Sequence, residues 1–164
     1  MMISALAVLA LLSLPQTADS TTPPASVHAR ITTTGIGVQI YSCKQSAAGF
    51  AWEFQEPQAT LFDATTHQPV GTHAAGPTWT WSDGSVLTGK VVQKSPSPDV
   101  NSIPWLLLET TAAGKNGALS RVTMVRRSET QAGAAPATGC DAQNVGVVIK
   151  VPYQATYTFY EPKH

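Results

Sequence analysis

Cysteine and charge are both scarce in this 164-residue chain. With only two cysteines, and neither in a Cys-x-x-Cys or Cys/His cluster, the sequence offers no zinc-site spacing. Ten basic residues balance ten acidic ones. Apart from the adjacent Arg126 and Arg127, the basic side chains are scattered. A phosphate backbone requires a concentrated positive footprint, so the composition argues against nucleic acid as a partner. No apolar run approaches the roughly 20 residues that a transmembrane helix requires. No segment carries a 3.6-residue apolar stripe with caps, so little helix is expected. Internal repeats and Asn-x-Ser/Thr sequons are also missing.

What is present begins with an apolar run from Ile3 to Leu14, about 12 residues and too short to span a bilayer. Pro15 and the small-residue trio Ala18-Asp19-Ser20 follow. This reads as a signal peptide over residues 1–20 with cleavage after Ser20, although no Lys or Arg precedes the run. Residues 21–27 read as an extended leader and 28–164 as a single β domain. The expected product is an exported protein, periplasmic or extracellular. In that setting Cys43 and Cys140 most simply form a disulfide closing a loop of roughly 100 residues, worth up to about 4 to 5 kcal/mol by chain entropy. A pair of unlinked thiols is the competing reading.

Alternation dominates the rest of the chain. Phe50, Trp52 and Phe54 alternate with Ala51, Glu53 and Gln55, which predicts a strand with one buried face. Val38 to Cys43, Leu61-Phe62, Val86 to Val92, Trp105 to Thr110 and Leu119 to Val125 read as further strands. So do Val145 to Val151 and, after Pro152, Tyr153 to Phe159. Pro104 cannot donate to a ladder and places a strand start after it. Asp83-Gly84 is a tight-turn signal, and Gln131 to Gly139 reads as a small-residue loop. The expected fold is all-β, a single-domain sandwich or partly closed barrel of about eight or nine short strands.

The densest chemistry lies between His73 and Asp83. Trp79 and Trp81 share one face of a strand about 7 Å apart, and with His73 they are the candidate ligand-binding residues for a carbohydrate or small aromatic molecule. Tryptophan is highly buried on average, so a core role competes with this. For a hydrolase or metal-assisted enzyme the weak catalytic candidates are His73, Asp83 and Glu109. No Gly-x-Ser-x-Gly elbow occurs, and Ser82 falls on the strand face opposite Trp81. His67 and His73 are weak metal candidates if they meet across a hairpin, with Asp63 nearby and His28 and His164 near the ends. Gly84 to Lys90 imitates a phosphate loop, but Val91 stands where a Ser or Thr must ligate magnesium and no helix follows. Gly35-Ile-Gly37 lacks the third glycine of a dinucleotide fingerprint. No cofactor is expected.

The ordered blocks Gly-Val-Gln-Ile-Tyr-Ser-Cys (37–43), Trp52-Glu-Phe54, Ala59 to Asp63, Ala75-Gly-Pro-Thr-Trp79, Ile103 to Glu109, Ala137 to Asp141 and Val151-Pro-Tyr resemble a family of secreted bacterial and fungal proteins. That family is known only as a domain of unknown function, of the DUF3455 type. The resemblance spans roughly residues 28–160, implies an exported single domain and supplies no activity. The leading functional expectation is a non-enzymatic binding or interaction module with an unknown ligand or extracellular partner. The alternatives are the enzyme built on His73, Asp83 and Glu109, and a structural envelope or cell-surface protein without a small ligand.

Overall fold

The computed structural model describes residues 19–163. The expected signal-peptide run Ile3 to Leu14 and His164 lie outside them. Eight strands follow in sequence, β1 (Val27–Ser46), β2 (Gly49–Asp63), β3 (Pro69–Ala74), β4 (Thr78–Trp81), β5 (Ser85–Ser95), β6 (Trp105–Gly114), β7 (Met124–Ala132) and β8 (Val148–Pro162). Each pairs antiparallel with the next, and β1 closes on β8 to complete a barrel. The described residues contain no helix, and so none long and apolar enough to cross a membrane. The all-β single domain is therefore observed, in its barrel form with the ring of strands closed. Closure satisfies both edges of every strand over the paired stretches.

Alternation sorts side chains into lumen and surface. On β8, Tyr153, Ala155, Tyr157 and Phe159 are buried while the residues between them are partly exposed. They meet Leu61 of β2, Trp79 of β4, Leu87 of β5, Leu108 of β6 and Val125 of β7 in one core. Glycines make room for its largest rings. A Cβ on Gly35 would fall 2.5 Å from the Tyr157 ring, and one on Gly89 would fall 2.8 Å from the Trp79 ring. Gly89 lies within β5, where its missing side chain seats the indole.

Several strand boundaries differ from expectation. The β3–β4 hairpin is short, so β2 from Gly49 to Gln58 has no partner on that side, the ladder to β3 beginning at Ala59. Phe50, Trp52 and Phe54 form strand as expected, but their face is not buried: Phe54 is 51% exposed. Leu61-Phe62 is the end of this same strand. Val145 and Val147 lie before β8 and are exposed. Pro152 does not divide β8, because β7 ends at Ala132 opposite Tyr153 and leaves that stretch a neighbour only on the β1 side. Pro57 sits likewise, paired to Gln39 of β1 beyond the reach of β3. Both prolines occupy the locally one-sided sheet in which a missing N–H is tolerated.

The two barrel ends are closed differently. In the β6–β7 loop, Leu119 and Val122 are buried as a plug, where a strand from Leu119 was expected. Asp83 holds the plug in place: its carboxylate accepts from the Ser85 amide (2.8 Å), the Ser85 hydroxyl (2.6 Å) and the Ala118 amide (2.7 Å). At the other end Cys43 and Cys140 form the expected disulfide, with Cα atoms 5.3 Å apart. It ties the β7–β8 loop to β1, and Trp52 Nε1 donates to Thr138 O of the same loop at 2.9 Å.

Candidate functional site

The short β3–β4 hairpin creates the site. β4 pairs with β5 only as far as Thr78 opposite Thr88, so the barrel wall between β2 and the second half of β5 stands open above the hairpin turn. A cavity of about 200 Å³ occupies this notch. Phe54 and Pro57 of β2 and Val91 of β5 flank it, and Gly76 and Pro77 form the rim. His73, Trp79, Leu108, Tyr157 and Arg127 reach it from the lumen. A second lobe of about 340 Å³, lined by Gln39, Tyr41, Ile103 and Pro104, shares Phe54, Val91, Leu106 and Arg127 with the first.

Arg127 joins the two lobes. It lies on β7 two residues after the buried Val125, and alternation therefore turns it into the barrel. It is 9% exposed. Its Nε and Nη2 donate to the carbonyl of Pro104 at 3.1 and 2.8 Å. Among the described residues no carboxylate forms an ion pair with it. Its positive field acts on the site's other titratable groups, opposing protonation of His73 and favouring ionisation of Tyr153 and Tyr157.

His73 is a lumen residue of β3, 3% exposed, stacked on Trp79 with centroids 4.8 Å apart and planes at 10°. Nδ1 lies 3.0 Å from the Thr78 carbonyl. An oxygen acceptor there makes Nδ1 the protonated nitrogen and leaves Nε2 as the acceptor. Burial pushes the His73 pKa down to about 4, and Arg127 adds to the shift. The ring is thus neutral at ordinary pH. Desolvation pushes the Tyr153 and Tyr157 hydroxyls up, and these two share a hydrogen bond of 3.0 Å. Two buried donors near them are unmet. Trp79 Nε1 has no acceptor, and Gln39 Nε2, although near enough to the Tyr153 hydroxyl to influence its ionisation, makes no hydrogen bond of acceptable geometry.

The residues singled out from sequence are only partly united here. Trp79 and Trp81 do share the inward face, each edge-on to Phe159. Trp79 is 1% exposed and lines the notch together with His73, whereas Trp81 packs against the core as a partly buried residue. Asp83 is engaged at the β4–β5 turn, and Glu109 lies on the exposed face of β6 opposite Lys90. Among the described residues no hydrogen bond, ion pair or ring contact joins any two of His73, Asp83 and Glu109. The exterior depression of about 580 Å³ beside Glu109 has walls of threonines and Lys90, and no buried polar group faces it. His67 is exposed in the β2–β3 turn with φ of 57°, while His73 is interior. No group of three or more His, Cys, Asp or Glu among the described residues is placed to hold a metal ion.

Arg127, Phe54, Gln39 and Tyr157 were not singled out from sequence as site residues. A signal for Arg127 existed: two adjacent arginines in a strand cannot both face solvent, and Val125 sets which of them turns inward.

The fold and site define a class: a closed eight-stranded antiparallel barrel with a lateral cavity around a buried guanidinium. Residues 23–161 match the family described as a protein of unknown function, DUF3455, and the chain belongs to that family. No curated protein and no solved structure matches the chain.

Proposed function

We propose that this protein is an exported, non-enzymatic barrel that binds a small, largely apolar ligand in the notch beside the β3–β4 hairpin. The observation that carries the reading is the combination in one cavity of an apolar, aromatic wall with a buried arginine that no carboxylate of the described barrel neutralises. Binding sites in general are concave, mostly apolar and furnished with a few convergent polar groups. Eight-stranded barrels are just wide enough to hold one small ligand. A cavity of about 150 Å³ admits benzene, so about 200 Å³ suits a single substituted ring. The Cys43–Cys140 disulfide is compatible with export into an oxidising compartment.

The reading is tested by backbone amide chemical-shift mapping during titration with a panel of single-ring aromatics, charged and neutral. Shifts should concentrate at His73, Trp79, Val91 and Arg127. Val91→Trp, which places a large side chain at the partly open rim, should abolish them while leaving the rest of the spectrum intact. A panel that moves only the exterior of β5 and β6, or nothing, sinks it.

A further inference from the structure

We propose that the ligand is a small aromatic monocarboxylate, its ring held between Phe54, Trp79 and Leu106 and its carboxylate held by Arg127. This rests on the binding reading above and adds the ligand's charge and acceptor chemistry. Three observations converge. First, Arg127 is 9% exposed and carries a full charge, and isolated buried charge is strongly disfavoured. It gives two N–H groups to one neutral carbonyl, that of Pro104. A guanidinium has five N–H donors in a planar fork suited to bidentate carboxylate binding, so the rest of the fork remains for the Tyr157 hydroxyl, water and a bound anion.

Second, the unmet buried polar atoms of the residues that line the two lobes are donors: Trp79 Nε1, which can only donate, and Gln39 Nε2. A ligand that reaches them by local repacking must bring acceptors. Third, among the described residues no counter-anion is built into the lumen around Arg127. His73 and the two tyrosines supply neutral rings and hydroxyls there. Asp83 faces the plug, and Glu161 pairs with His28, Arg30 and Arg121. The wall, meanwhile, is apolar: Phe54, Pro57, Val91, Leu106 and Leu108. A cation would be repelled by Arg127, and a strongly polar neutral molecule, although it brings acceptors, neither matches the apolar wall nor supplies the counter-charge.

Benzoate and benzamide, nearly isosteric and differing in charge, are the probes. Calorimetric titration of the full mature protein at pH 7 should show benzoate binding at least tenfold tighter than benzamide, as expected for charge-assisted over neutral hydrogen bonding. Arg127→Gln should bring the two within about twofold, while Arg127→Lys should keep part of the preference because it retains the charge without the fork. Arg127 also anchors Pro104, so these variants are read only where their melting shows a folded barrel; the wild-type comparison stands without them. Equal binding of both probes in the notch overturns the carboxylate assignment and leaves the binding reading standing. Binding of neither overturns both.

Discussion

Acidification should destabilise this barrel through His73 in particular. In the folded chain burial holds its pKa at about 4, against 6.5 for the ordinary group. Below pH 6.5 the unfolded chain takes up a proton that the folded chain cannot hold until about pH 4. Stability is therefore present above 6.5 and is lost progressively as pH falls through that window. Linkage across a gap of this size amounts to about 2.5 kcal/mol between pH 7 and pH 4.5. That is a large fraction of the stability of a single domain. The assay is urea denaturation of wild type and His73→Phe at both pH values. The phenyl ring preserves the stack on Trp79 but does not titrate, and it forfeits the Thr78 contact at every pH. Wild type should lose on the order of 1 M in urea midpoint on acidification, and His73→Phe markedly less. Asp63, Asp83 and Asp99, held below the usual carboxylate range mainly by hydrogen bonds from nearby serines, threonines and backbone amides, are common to both chains and cancel in the comparison. Identical midpoint losses in the two proteins would refute the assignment of a neutral, desolvated His73.

Reduction of the Cys43–Cys140 bridge, or Cys43→Ser with Cys140→Ser, should cost about 4 to 5 kcal/mol by loop entropy, since the two lie 97 residues apart. Calorimetry should then show a melting point lower on the order of 10 °C; an unchanged value would mean that Trp52 and the β1 backbone hold the loop unaided. Gly89→Ala drives a methyl into the Trp79 ring and should destabilise by about 1 to 3 kcal/mol as overpacking. If the cavity beside Trp79 instead absorbs the displaced indole, urea midpoints will not move while benzoate binding falls. Asp83→Asn weakens acceptance from Ser85 and Ala118. It should speed amide exchange at Ala118 and Leu119 specifically, without altering ligand titrations of the notch.

Strand-forming segments were legible wherever one face was apolar and the other polar, as in Tyr153 to Phe159. The Asp83-Gly84 turn was legible from its residue pair, and Gly84 does adopt a positive φ of 87°. The first half of β1 was not. His28 to Thr34 carries no apolar alternation because its inward residue Thr33 is small and polar beside Tyr157. The aromatic run Phe50 to Phe54 misled in the opposite direction. Its period signals a strand faithfully, but whether that face is covered depends on the length of a hairpin more than ten residues away. Leu119 and Val122 were legible as buried and misassigned as strand, since a plug and a short strand demand the same apolar residues.

The candidate site divides along the same line. His73 and Trp79 stood out by residue type and by their place around a Gly-Pro turn, and both line the cavity. Asp83 and Glu109 stood out equally and do not. Local alternation determines which residues face inward, and composition determines that the chain is strand-rich and evenly charged. Barrel closure, the mismatch between the short β3–β4 hairpin and its long neighbours, and the enclosure of Arg127 with Tyr157 and Gln39 arise from register between strands distant in sequence. Register is a property of pairing, so only the tertiary structure decided where the wall opens and which buried charge faces the opening.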